Sequence, residues 1–174
     1  MNNFTKLLLL ISALSLTTAC SKIDASQGNV TADNTSTIAD RVVEDREGII
    51  KVNSPFSVAE TSDRLAKIIT DKGLTLFARI DHSDNAQKAG LELKPTQVII
   101  FGNPKVGTPL MNCSATTAID LPQKFLIVER EAKQTQIIYN SPQYLQQRHN
   151  ITGCDEVLNK VSEVLKGISE AASK

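Results

Sequence analysis

Apolar and polar positions follow two spacings along this chain, and the switches between them mark out the elements. "GIIKVNS" (48–54) is a short apolar run beginning at a glycine and reads as a strand entering the folded part. "SPFSVAETSDRLAKIITDKG" places Val58, Leu65, Ile68 and Ile69 on one face at helical spacing. Ser57 and Glu60 fit an N-terminal capping box, and Gly73 is placed to end the helix in a left-handed conformation. "LTLFARIDH" returns to period two, with Leu74, Leu76, Ala78 and Ile80 alternating against Thr75, Phe77 and Arg79. "SDNAQKAGLEL" reads as one short helix stopped by Gly90.

"TQVIIFGN" is a continuous apolar run, as a strand buried on both faces requires. "QKFLIVER" and "TQIIYN" form a predicted hairpin turning near Glu131, Ala132 and Lys133. "SPQYLQQRHN" is a short helix. "CDEVLNKVSEVLKGISEAA" is a longer one, striped by Val157, Leu158, Val161, Val164, Leu165 and Ile168. Hairpin-linked strands with segregated helices predict an α+β fold, a two-layer sandwich in β-α-β-β-β-β-α order. A parallel doubly wound sheet fits worse, because too few helices separate the later strands.

The N-terminus carries a different message. Lys6 precedes the apolar stretch Leu7 to Leu16, which is too short to span a bilayer as a helix. Leu16-Thr17-Thr18-Ala19-Cys20 resembles a bacterial lipobox, with Thr17 where leucine is most common. That resemblance implies cleavage before Cys20, lipidation of Cys20 and anchoring to a membrane. Ser21 after the cysteine implies sorting to the outer membrane, facing the periplasm. The alternative is a plain secretory signal cut near Ala19. Residues 20–40 are rich in Ser, Thr, Asn and Asp and read as a flexible tether. The expected organisation is therefore a signal peptide over 1–19, a lipidated tether over 20–40 and one domain over 41–174.

Lysine plus arginine and aspartate plus glutamate are balanced at 19 each, and aromatics are few. Neither a strong basic field nor a set of stacking rings is present, which argues against a nucleic-acid partner.

"GLTLFARIDHSDNAQKAGLELKPTQVIIFGNPKVGTPLM", with "IDLPQKFLIVE" and "YNSPQYLQQRH", resembles the domain-of-unknown-function 302 family over about Ile49 to Lys174. The resemblance implies a compact α+β domain in which helices cover one face of an antiparallel sheet, and makes a homodimer a candidate assembly. It supplies no catalytic residues.

The most unusual stretch runs from Phe101 to Pro122, "FGNPKVGTPLMNCSATTAIDLP". It lacks the G-x-x-x-x-G-K-[ST] order of a phosphate loop, and no clear helix follows the glycines. Its prolines and glycines predict a rigid excursion from a strand that packs Leu110 and Met111, with a ligand groove beside it. The candidate ligand-binding residues are Asn103, Lys105 and Asp120, together with His82 just past a strand end. Asp81 or Ser83 is placed to cap the helix after His82.

Cys113 and Cys154 form an even pair in an exported chain, and so a candidate disulfide. The rival arrangement is a metal site of His82, Cys113, His149 and Cys154, whose spacing matches no zinc signature. No motif calls for a cofactor. The three N-x-[ST] matches, at Asn34, Asn112 and Asn150, are chance matches in a bacterial envelope protein. The favoured reading is a non-catalytic envelope lipoprotein that binds a small molecule or a partner protein. The alternative is a metal- or redox-handling protein or enzyme using His82 and the loop Gly102 to Cys113.

Overall fold

A computed structural model describes residues 42–45 and 48–174. The expected signal peptide, Cys20 and the tether lie outside the described residues. In chain order the elements are β1 (Val42–Glu44), β2 (Ile49–Ser54), α1 (Val58–Asp71), β3 (Thr75–Asp81) and α2 (His82–Lys88). Then come β4 (Thr96–Gly102), α3 (Pro104–Cys113), a 3-10 helix (Ala115–Ile119) and β5 (Gln123–Glu129). The chain closes with β6 (Thr135–Asn140), α4 (Pro142–His149) and α5 (Asp155–Ala172). The strands form one sheet in the order β1-β2-β6-β5-β4-β3, with every neighbouring pair antiparallel. The two-layer α+β architecture is the one the strand and helix order predicts.

One face of the sheet carries the core. Val52, Ile99, Phe101, Phe125, Ile127, Ile137 and Tyr139 are buried there with Leu65 and Ile69 of α1 and Leu158, Val161, Leu165 and Ile168 of α5. Phe101 stacks on Phe125 with ring centroids 4.9 Å apart, and Phe125 meets Tyr139 edge-on at 5.2 Å. These three rings tie β4, β5 and β6 under the helices, and such pairs add about 0.5–1.5 kcal/mol each beyond area burial. Ser57 caps α1 by accepting from the Glu60 backbone N–H at 3.2 Å. The turn between β5 and β6 falls at Ala132 and Lys133, both at positive φ.

β3 alternates in exposure as its period-two pattern predicts, with Thr75, Phe77 and Arg79 exposed, and its register against β4 shifts between Leu76 and Ala78. Leu76 pairs with Phe101 and Arg79 with Ile99, both on the core face, which leaves Phe77 at the shift and exposed. Arg79 there donates to Ser62 Oγ and pairs with Asp63 of α1. α2 ends at Lys88 with Gly90 at φ 74° just past its cap, the stop the sequence marks, and Leu91 and Leu93 lie beyond it on the surface. One expectation needs correction: the excursion after β4 is helical. Asn103 caps α3 by accepting from the Lys105 N–H at 3.0 Å, and Pro104 occupies the first turn, where its missing N–H costs nothing. Pro109 sits inside this helix. It forgoes one i→i−4 bond, whose acceptor would be the carbonyl of Lys105, an exposed residue open to water.

Two glycines at positive φ separate backbone strain from collision. Gly48 (φ 74°) lies beneath Tyr144, and a Cβ added there would come within 2.3 Å of the Tyr144 Cβ. Gly73 (φ 69°) has open space around it. Gly73→Ala is therefore expected to lose about 1 kcal/mol of stability, from backbone strain alone. Gly48→Ala is expected to lose about 3 kcal/mol, because α4 must also shift. Urea unfolding of both variants checks this; equal losses would contradict the collision.

Candidate functional site

Residues 103–122 lead from β4 to its neighbour β5, and they build a pocket at that end of the sheet. The chain leaves β4 at Gly102, runs through α3 and the 3-10 helix, and re-enters the sheet at Gln123 after a cis Leu121–Pro122 bond. Val106, Gly107, Leu110 and Met111 of α3 line one side of a cavity of about 240 Å³. Ala118, Leu121 and Pro122 line another, and Phe77 of β3 and Val161 of α5 complete it. The lining contains no charged side chain, and its polar members are Asn103, Thr108 and Gln123. Phe77 is 51% exposed. Its ring sits over Gly102, where a Cβ would lie 3.5 Å from Phe77 Cε2. The wall is thus apolar while its edge is open to solvent.

The far end of the excursion is fastened twice. Cys113, which ends α3, is bonded to Cys154, which precedes α5, with Cα atoms 6.5 Å apart. Beside it, His149 at the end of α4 is buried, with Nδ1 3.0 Å from Thr116 Oγ1 and Nε2 2.6 Å from Asp120 Oδ2. Arg148 Nε reaches the same carboxylate oxygen at 3.3 Å, and Ser114 Oγ donates to the His149 carbonyl at 2.8 Å. A hydroxyl, an imidazole and a carboxylate in sequence have the connectivity of a nucleophilic triad. Here the arrangement pins two elements. Both ring nitrogens are engaged, and Asp120 is shared with Arg148 and already satisfied. The Thr116 hydroxyl is shared with Ser114 Oγ at 3.1 Å. The Tyr144 hydroxyl and Asp120 together hold the Arg148 guanidinium above its ordinary pKa.

The sequence-derived candidates are scattered by this geometry. Asn103 lines the pocket and Lys105 sits on the exposed first turn of α3. Asp120 turns to His149 and Arg148. His82 is exposed at the start of α2, apart from all of these. Asp81 caps that helix, accepting from Ser83 Oγ at 2.6 Å, the Asp84 N–H at 2.9 Å and Gln97 Nε2 at 2.9 Å. The rival metal site is not assembled. Cys113 and Cys154 are bonded to each other, and His149 is held by Thr116 and Asp120. Among the described residues, no group of three or more metal-ligating side chains converges. Sequence reasoning missed Phe77 and Val161, which reach the pocket from β3 and α5. It also missed the tie between His149 and Asp120, 29 residues apart.

Residues 50–168 match the family described as "Domain of unknown function DUF302". The chain belongs to that family. A crystal structure of an uncharacterized conserved DUF302 protein from Bacillus stearothermophilus superposes with a TM-score of 0.65 at 18% identity. It covers 72% of this chain and 98% of its own, which shows the shared fold. The chain is also similar to "Fluoride-specific ion channel FluC 1" of Brucella suis biovar 1 (strain 1330), at 42% identity over 104 residues. That match covers 60% of this chain and 41% of that protein. A FluC 1 of Brucella abortus biovar 1 (strain 9-941) is likewise 42% identical, with 38% of its length covered. The DUF302 chain thus spans about two fifths of the length of these curated relatives. No helix among its described residues is long and apolar enough to cross a membrane.

Two outcomes follow for stability. Cys113→Ala with Cys154→Ala opens a loop of 41 residues and is expected to lose about 4 kcal/mol. Chemical denaturation against the oxidised wild type measures it, and an unchanged midpoint would contradict the tie. The hydrogen bonds from Ser83 and the Asp84 N–H hold the Asp81 carboxyl below its ordinary pKa. A lowered native value stabilises above the unfolded-state pKa and is lost as pH falls through the native one. Wild type should therefore exceed Asp81→Asn in stability at neutral pH, with the gap closing as pH falls to about 2. A gap independent of pH would contradict the ionised cap.

Proposed function

We propose that this DUF302 protein is a lipid-anchored envelope protein whose domain binds a small apolar molecule and performs no chemistry on it. The observation that carries the reading is the pocket under α3. Its wall is apolar, it opens to solvent beside Phe77, and it is bounded by an excursion fastened by a disulfide and a buried histidine. Pre-formed apolar concavities with a few polar groups at the edge are the usual form of ligand sites. The size sets the ligand's scale. A closed cavity of about 150 Å³ accepts benzene, so 240 Å³ suits one ring or a short chain rather than a drug-sized molecule. The disulfide agrees with an oxidising compartment, which supports export. A similar sequence also forms part of proteins named as ion channels, which supports a station at a membrane. Fluoride conduction is not carried over, since the match covers only 41% of that protein.

The pocket is tested by NMR titration of the oxidised protein with 1-hexanol, a neutral probe of matching size. Saturable shifts centred on Phe77, Val106 and Leu121 are expected. Gly107→Leu, which places a side chain toward Leu121 from the helix wall, is expected to weaken binding at least tenfold while the circular dichroism stays unchanged. Binding that is unsaturable, or unchanged in Gly107→Leu, would overturn the reading. Palmitate labelling in cells tests the anchor: incorporation should be lost in Cys20→Ala, and retained label would place the lipid elsewhere.

A further inference from the structure

β4 carries the continuous apolar run of a strand buried on both faces, yet the core helices α1, α3 and α5 all pack on one face of the sheet. Cross-strand register shows what the other face presents. Ile80, Val98, Leu126 and Ile138 line up in one row across β3, β4, β5 and β6, with Ile100 and Val128 beside it. None of these six packs in or against the core cluster, and each is half-buried. The polar side chains around the row have partners within the chain. Lys51, next in the row after Ile138, is bonded through its ammonium to Asp45 at 2.7 Å. Lys124, opposite Ile100, donates to the carbonyls of Asp120 and Pro122 just before β5. Gln136 and Asn53, paired across β6 and β2, share a hydrogen bond of 3.0 Å. This face can therefore lose its water at little polar cost.

We propose that this face is the contact between two copies of the chain, packed sheet against sheet about a two-fold axis near Leu126. The inference is independent of the pocket. A two-fold contact sets one surface against itself. An apolar row across the middle of the sheet, with satisfied polar groups around it, has the anatomy of an interface centre and its rim. Area selects the occupant. Six strands about 4.8 Å apart span roughly 29 Å. β2 to β6 are six or seven residues long, or roughly 20 Å at about 3.3 Å per residue. Each copy then buries on the order of 600 Å² and the pair about 1,200 Å², the lower bound of a specific interface. A single helix, about 10 Å wide, would cover about a third of the face. A second copy's sheet matches its whole extent and its twist. The two lysines of the face are already engaged, so charge does not select a different partner.

Sedimentation equilibrium of the full oxidised chain, in a detergent matched to the solvent in density, tests the contact. A monomer–dimer equilibrium is expected, dissociating on the order of tens of micromolar, as suits an interface at the small end of the range. Leu126→Lys sets like charges against each other at the axis and is expected to weaken the dimer by roughly a hundredfold or more. Ile119→Lys, at an exposed position on the 3-10 helix, is expected to leave it intact. If circular dichroism shows Leu126→Lys unfolded, intermolecular NOEs in a mixed-label wild-type sample decide. They should join the methyls of Val98, Leu126 and Ile138 across copies. A wild type that stays monomeric at millimolar concentration, or a dimer that folded Leu126→Lys leaves unchanged, would overturn the inference. So would NOEs from these methyls to the detergent chains in place of a partner copy, which would assign the face to lipid.

Discussion

Neighbouring antiparallel strands are ordinarily joined by a turn of a few residues, but β4 and β5 are joined by residues 103–122. That excursion must satisfy its own backbone and bury its own apolar side chains while both of its ends stay fixed in the sheet. It meets the first demand by becoming helical, with Asn103 and Pro104 starting α3. It meets the second by pressing Leu110 into the core near α5. The ends remain a strand spacing apart, so the helix cannot close down on the sheet edge, and the pocket occupies the space left between.

Magnitudes show which forces keep that space open. Closed cavities cost about 24 cal/mol per Å³. A sealed void of 240 Å³ would therefore forfeit on the order of 6 kcal/mol, an upper bound because this one opens beside Phe77. The disulfide, at about 4 kcal/mol for its loop, is the largest single offset in the excursion. The buried His149–Asp120 hydrogen bond is the second tie, and a hydrogen bond of this kind contributes on the order of 1 kcal/mol. Both ties sit at the C-terminal end of α3 and on the 3-10 helix, away from the rim. The fastening thus holds the walls and leaves the mouth free.

Most of the fold was legible in the sequence because it rests on local rules. Ser57 and Gly73 bracket α1, and period-two runs mark β5 and β6. The stripe from Leu158 to Ile168 marks α5. The excursion was not legible as a helix, because Pro104, Gly107 and Pro109 in ten residues read as breakers. Only their placement at the first turn, on the pocket wall and above an exposed carbonyl makes them tolerable. The exposure of Phe77 follows the alternation along β3, whereas the register shift beside it depends on pairing with β4, which no window on β3 alone displays. Of the residues named from the sequence, Asn103 lines the pocket and Lys105 does not. Asp120 proved to be a structural partner of His149, a contact fixed only when α4 docks on the 3-10 helix.

The account stands or falls on whether the pocket under α3 holds a ligand in the native protein. Native mass spectrometry of the protein, released from its own membranes without reductant, measures that most directly. The account predicts a chain lighter by the two hydrogens of the Cys113–Cys154 bond, carrying one small apolar molecule that is absent from Gly107→Leu. A chain that carries a metal ion, or that retains the same adduct in Gly107→Leu, would contradict it.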